Sequence, residues 1–275
     1  MRARALLAGA ALALAGCSAV EFAYNNAGAW MSWKADQYLD LREEQERELD
    51  GRLAKFFTWH RAEALPEYAR LADEAAARLE RGAQREDMVW GYDAIRAQAR
   101  VDLRRAGGEL GDLLDRLAPA QIAHFERQLA EDNRRYARRY LEGSPAERKR
   151  RRVERLQHEL EDWLGELSDA QRERVRRFND TAPLNAALRD RERRRHQAEL
   201  LALLRANAGG GALGAWAAHW DRGREPEFAA ANRAQRQAFF ELLADLERML
   251  SERQRAHAVD RLREYARDFR ALAAR

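Results

Sequence analysis

Apolar residues along this chain return every three or four positions, and the stripes they draw are separated by recognisable helix starts and stops. Leu49, Leu53 and Phe56 mark one stripe, ended by Leu65-Pro66, and Tyr68, Leu71, Ala75 and Leu79 continue on a second up to Gly82. Trp90, Ile95 and Leu103 lie on a third, from about Arg85 to Arg105, which Gly107-Gly108 interrupts. Ile122, Phe125, Leu129, Tyr136 and Tyr140 belong to a long fourth helix, its seam broken at Asp132 and Asn133 and its end set by Gly143. Val153, Leu156, Leu160, Trp163 and Leu164 form a fifth, Ser168 to Phe178 a sixth, and Leu184, Leu188, Leu200 and Leu204 a seventh that ends at Asn207. Gly209-Gly210-Gly211 predicts a hinge at 208–211. Beyond Trp216, Trp220 and Pro226, two last helices carry Phe239, Leu242, Leu243 and Leu246, then Val259, Leu262, Phe269 and Leu272. Period-two alternation is missing and Val, Ile and Thr are scarce, so no sheet is expected. The chain reads as all-α, an elongated multi-helix bundle or an open helical cradle of about nine to ten helices.

One helix start recurs: a leucine, three residues, then glutamine. It stands at Leu41 to Gln45, Leu117 to Gln121, Leu167 to Gln171 and Leu250 to Gln254. Ser168 and Ser251 are placed to accept from the amide three residues on, while Gln171 and Gln254 reach back to the cap. Ser144-Pro145-Ala146-Glu147 has the same form with proline at the first helical position. The motif speaks for architecture rather than chemistry.

The first sixteen residues change the picture of where this body works. Arg2 and Arg4 precede an apolar run from Ala5 to Leu14, and Leu14-Ala15-Gly16-Cys17 closes it with small residues before the single cysteine. That is the form of a bacterial lipoprotein signal, cleaved before Cys17. The run is too short to span a bilayer, which takes about 20 apolar residues. Diacylglycerol on the Cys17 sulfur and an acyl chain on its new amino group would hold the protein instead, and two or three chains suffice for stable attachment. Ser18 follows where a retention aspartate would stand, which favours the outer membrane, facing the periplasm. Residues 1–16 are thus expected as signal peptide, 17–40 as lipidated tether and aromatic segment, and 41–275 as the helical body. Trp30 and Trp33, at i, i+3, fit core packing, with seating at the bilayer interface as the alternative.

Charged residues make up 35% of the chain and apolar ones 46%, many of them alanine, which implies long solvated helices around a thin core. The net charge of +4 falls further once Arg2 and Arg4 are removed, so overall charge names no polyanionic partner. Two dense basic runs remain, Lys149-Arg150-Arg151-Arg152 and Arg191 to Arg195. Glu147 with Arg151 and Asp190 with Arg194 fit i, i+4 pairing on a solvated face, and contact with anionic lipid headgroups is the alternative. An envelope location excludes the usual nucleic-acid role.

The lipobox, Tyr24-Asn25-Asn26, Trp33, Asp36, Tyr38-Leu39-Asp40-Leu41, Gln45, Trp59-His60-Arg61, Leu65-Pro66-Glu67-Tyr68 and the later Leu-x-x-x-Gln starts together resemble an uncharacterised proteobacterial lipoprotein family, a domain of unknown function. The resemblance covers nearly the whole chain, is most specific between Cys17 and Tyr68, and implies an envelope lipoprotein without an assigned activity. The Leu-x-x-x-Gln element alone is similar to the Leu-Thr-x-x-Gln of periplasmic chaperones of the Spy and CpxP type, helical cradles for unfolded clients. Here Arg42, Ala118, Ser168 and Ser251 stand in place of the threonine.

No catalytic or metal constellation is read. Ser144, Ser168 and Ser251 are accounted for as caps, His60, His124, His158, His196, His219 and His257 are scattered, and Glu154 with His158 and Glu192 with His196 have the spacing of surface ion pairs. The expectation is a non-enzymatic, lipid-anchored module that binds or scaffolds another envelope protein, with a chaperone of unfolded outer-membrane clients as the second reading. No cofactor is expected beyond the lipid on Cys17. Tyr136, Tyr140 and Trp163 are the candidate binding surface. A hydrolase would need Asp132, Asn133 and His124 to converge in one cleft.

Overall fold

A computed structural model describes residues 19–181 and 186–275. Cys17 and the signal stretch, and Leu184 of the expected seventh helix, lie outside the described residues. The described chain is all-helical, in the order α1 (Ala19–Asn25), α2 (Ala27–Leu39), α3 (Glu43–Trp59), α4 (Leu65–Glu80), α5 (Arg85–Leu114), α6 (Pro119–Tyr136), α7 (Pro145–Leu164), α8 (Asp169–Thr181), α9 (Ala186–Arg205), α10 (Gly209–Ala218), α11 (Pro226–Arg248) and α12 (Glu252–Ala273). Single π-turns follow α3, at His60–Ala64, and α6, at Ala137–Leu141.

The first π-turn corrects the expected break at Leu65-Pro66. Leu65 N–H bonds to the His60 carbonyl five residues back, and the proline sits in the first turn of α4, where its missing N–H leaves nothing unpaired. Helices α3 and α4 therefore follow one another without a loop, and counting them as one brings the described helices to eleven, close to the nine or ten expected.

The glycines are the second correction. Helix α5 runs through Gly107-Gly108 to Leu114. On α10, Gly209-Gly210-Gly211 forms the first turn of a helix. A Cβ on Gly111 would stand 1.8 Å from Gly210 Cα, and one on Gly107 would stand 2.2 Å from Gly214 Cα. Two backbones meet here with no side chain between them, a contact only glycine allows. The glycines that read as a helix break and a hinge are accounted for by this packing.

The four Leu-x-x-x-Gln starts meet in pairs. Gln45 and Gln121 join their amides reciprocally, Gln121 Nε2 to Gln45 Oε1 at 2.8 Å and Gln45 Nε2 to Gln121 Oε1 at 3.3 Å, and Gln171 and Gln254 do the same at 3.1 Å each way. Each glutamine also accepts from the backbone N–H three residues earlier, at Arg42, Ala118, Ser168 and Ser251. Spare amide hydrogens reach across to the chain entering the partner helix, Gln121 to the Asp40 carbonyl, Gln171 to Met249 and Gln254 to Glu166. Ser168 and Ser251 add the expected hydroxyl cap, whereas arginine and alanine offer no acceptor at the other two starts.

A core surrounds each junction. Leu39, Leu41, Leu49, Leu53, Leu113, Leu117, Ile122 and Phe125 pack about the first, and Leu160, Leu167, Val175, Phe178, Leu242 and Leu246 about the second. Two helical hairpins thus lock tip to tip at each site, α2–α3 with α5–α6 and α7–α8 with α11–α12. Amides that satisfy one another, buried at Gln45, Gln121 and Gln171 and half-buried at Gln254, hold the register.

Candidate binding groove

A cavity of about 1920 Å³ lies between the two hairpin assemblies and draws on α4 to α9, α11 and α12. Its basic end is made by the second π-turn and the start of α7. Extra residues in a π-turn re-aim the side chains that follow, and here they carry Arg139 and Tyr140. The Tyr136 and Tyr140 rings stand 4.7 Å apart, with the Tyr136 hydroxyl donating to the Ala186 carbonyl at 3.2 Å. Arg193 lies 4.4 Å over Tyr136, and Arg155 and Arg139 lie 5.0 and 5.3 Å from the Tyr140 ring. Cations over aromatic faces hold their guanidinium planes in place. Burial is the main influence raising the Tyr136 hydroxyl above its ordinary pKa, so it remains a donor at neutral pH.

The expected pairing of Glu147 with Arg151 does not form. Ser144 takes the Glu147 carboxylate through its backbone N–H at 2.8 Å and its hydroxyl at 3.0 Å, and these bonds hold that carboxyl below its usual range. Arg151 donates instead to the Glu142 carbonyl at 2.7 Å, and Arg148 to the carbonyls of Leu141 and Gly143. Lys149 pairs with Asp180 at 2.5 Å. Among the described residues, Arg139, Arg152, Arg155 and Arg189 meet no carboxylate within ion-pair distance, and all four line the cavity. Of the lining acids, Asp180 answers Lys149, and Asp87 accepts from Gln84 N–H and Arg78, leaving Glu159.

Toward the C-terminal half of α7 the lining turns apolar. A second cavity of about 360 Å³, sharing Leu79, Met88, Leu156, Glu159, Phe239 and Leu243 with the first, continues among Leu160, Trp163, Leu164, Leu246 and Leu250. Trp163 is exposed, with its ring 5.8 Å from Tyr265 and Arg261 5.2 Å above it. The structure therefore places Tyr136 and Tyr140 at the basic end of a groove and Trp163 at the apolar end. The capping residues Gln45, Gln121, Ser168, Gln171, Ser251 and Gln254 stand apart from it, at the two junctions.

The N-terminal segment departs from the core reading of its tryptophans. Phe22, Trp30 and Trp33 expose 69, 59 and 54% of their surface. What packs instead is the polar side of the same segment. The Tyr24 hydroxyl lies 2.9 Å from His60 Nδ1, Arg61 donates to Asn25 at 2.8 Å, Tyr38 donates to Asp132, and Asp36 accepts from the Leu41 N–H at 3.1 Å. Burial raises the Tyr24 pKa to about 12 against the pull of Arg61, and lowers that of His60 against the pull of Asp102, which accepts from Tyr68 at 2.6 Å. Asp132, Asn133 and His124 take separate partners, Tyr38 with Arg135, Gln197, and the Gln37 carbonyl, and do not share one cleft. Among the described residues no group of three His, Cys, Asp or Glu could hold a metal ion.

Residues 37–212, well over half of the chain, match the model of a protein family described as a family of unknown function (DUF6279). No curated protein and no solved structure matches the chain.

Proposed function

The chain belongs to this family of unknown function, and from that premise we propose that it is a lipid-anchored, non-enzymatic protein of the bacterial envelope whose helical body is an open cradle, with the groove over Tyr136 and Tyr140 as its binding face. The observation that carries the reading is the stack Arg193, Tyr136, Tyr140, Arg155, preorganised at the mouth of a large cleft with charge to spare. Fixed side chains of this kind reduce the entropy lost on binding, and aromatic and arginine residues are the usual anchors of recognition. The exposed Phe22, Trp30 and Trp33 support attachment at Cys17. Aromatic rings, indoles above all, favour the bilayer interface, and these three lie five, thirteen and sixteen residues beyond the cysteine. No helix among the described residues is long and apolar enough to cross a membrane, so in this reading the lipid on Cys17 and the aromatic face bear the attachment. Outer-membrane sorting follows from Ser18.

A photo-crosslinking residue at position 140, in intact envelopes, should give a discrete product that the same residue at Glu43 does not. A diffuse or absent product at 140 would overturn the groove as binding face. Loss of acyl label and release from membranes in Cys17→Ser would be expected in parallel; membrane retention without label would remove the anchor. The chaperone reading is favoured by one observation, that the Leu-x-x-x-Gln starts lie at hairpin tips on either side of an aromatic cleft. Suppressed aggregation of a denatured client would support it, and no effect at several-fold excess would reject it.

A further inference from the structure

We infer that the groove takes an anionic amphiphile, a phosphate-bearing acyl lipid, with its head at the uncompensated arginines of α7 and its chain along the apolar end toward Trp163. The inference rests on the groove being the binding face and names its occupant.

The two requirements of such a ligand are met at successive stretches of one helix. Arg152 and Arg155, in the middle of α7, have no carboxylate partner, and Arg148 and Arg151 spend their donors on neutral carbonyls of the preceding turn. Carbonyl bonds leave the positive charges in place. Guanidinium groups bind phosphate oxygens in a planar, bidentate fashion, and a dianionic or monoanionic head would supply the missing counter-charge. From Arg155 to Trp163 the helix advances about 12 Å at 1.5 Å per residue, and over that length the groove lining becomes Leu156, Leu160, Leu164, Leu243 and Leu246.

An extended acidic peptide would meet the same arginines but fail at the other end. Its backbone amides would enter a lining whose charged side chains are Glu159 and Glu247, the latter already held by Arg255, too few partners for a run of amides, and each unpaired buried amide is penalised. A methylene chain has nothing to satisfy and gains free energy with each group removed from water. Charge at one end and hydrocarbon at the other thus match a lipid better than a polypeptide.

The test uses the full chain carrying Cys17→Ser, which keeps the protein's own acyl groups out of the groove, and phosphatidylglycerol with short brominated chains below its micelle concentration. Bromine quenches tryptophan on contact, so Trp163 reports the chain directly. Saturable quenching is expected, reduced in Trp163→Phe. Phosphatidylcholine with the same chains should bind at least tenfold more weakly, as should phosphatidylglycerol to the Arg152→Gln/Arg155→Gln pair. Arg155→Lys, which keeps the charge, should retain most of the affinity, and unchanged circular dichroism guards against misfolding. Equal binding of the two lipids, quenching that persists fully in Trp163→Phe, or no quenching would overturn the inference. So would displacement by inorganic phosphate alone at the lipid's own affinity, since that would leave the apolar end idle. A protein crosslinked at position 140 together with no lipid quenching would leave the groove as binding face and remove only the lipid; silence in both would remove the two together.

Discussion

Two arginine-rich runs of similar sequence density face opposite fates in this fold. The run Arg191 to Arg195 on α9 is neutralised in place: Arg193 and Arg194 share Asp190 at 2.7 and 2.8 Å, Arg195 holds Glu192 at 2.9 Å and also Glu199, and Arg191 reaches Glu227. The run on α7 has Lys149 on Asp180 and Arg150 at 3.6 Å from Glu154, but its groove-facing arginines lean on carbonyls and tyrosine rings. The first run is a structural element of the body, and the second is charge held ready for something else. Counting arginines in the sequence could not separate them, because the difference lies in what the neighbouring acids do: Asp190, Glu192 and Glu199 turn to their own run, whereas Glu147 is taken by the Ser144 cap.

The strongest way to sharpen this contrast is to remove an acid from the paired run. Glu192 has only 6% of its side chain exposed and meets Arg195, His196 at 3.2 Å and Arg224 at 3.6 Å. Glu192→Gln would take from the half-buried Arg195, His196 and Arg224 the carboxylate they share, and breaking a buried ion pair costs about 3 kcal/mol. Urea denaturation should show that loss, while Arg152→Gln in the open run should stay within about 0.5 kcal/mol of the parent. Equal midpoints for the two variants would erase the distinction.

Acid should separate the runs more gently. Burial pushes the Asp190 carboxyl up, but the hydrogen bonds from Arg194 and Arg193 outweigh it and hold the group below the usual aspartate range. A depressed folded pKa gives stability that is present above the ordinary aspartate value and is lost as pH falls through the folded one. Thermal midpoints should therefore drop as pH falls below about 4, with part of that loss due to this carboxylate. In Asp190→Asn the protein should be weaker at pH 7 and its acid slope shallower. An unchanged slope would show that Asp190 carries none of it.

Much of the architecture was readable because it is local. Helical period, the serine at 251 with glutamine at 254, and the absence of strand patterns are properties of neighbours in sequence, and the all-α class follows from them. The glycines show what spacing without a partner conceals. Gly107-x-x-x-Gly111 and Gly210-x-x-x-Gly214 carry the same four-residue interval, yet each alone looks like a helix break, and only their contact explains both. Pro66 misled for a related reason, since a π-turn absorbs it without ending the rod. Tyr136 and Tyr140 were visible as an aromatic pair at helical spacing, but the groove around them needed α9 and α11 to arrive from far along the chain. Glu147 was assigned to Arg151 by the i, i+4 rule, and the cap at Ser144 won because backbone and hydroxyl donors were already in place.

Salt offers the smallest and most specific break. Uncompensated like charges repel, so the α7 arginines destabilise the folded body slightly at low ionic strength, whereas the pairs on α9 attract. Mobile ions screen both within a Debye length of about 10 Å at 0.1 M, and they act most on exposed groups. Arg139, Arg152 and Arg189 are exposed, and Asp190 and Glu192 are buried, so screening should relieve the repulsion more than it weakens the attraction. Raising sodium chloride from low salt should thus increase the parent's stability by a few tenths of a kcal/mol, about the scale of single exposed pairs. In Arg152→Gln/Arg155→Gln the increase should shrink or reverse, because the paired run then dominates the response. A parent that loses stability with added salt to the same extent as this variant would mean that the arginines around Tyr140 are compensated after all, and the groove would lose the charge on which its reading as an anion-seeking face depends.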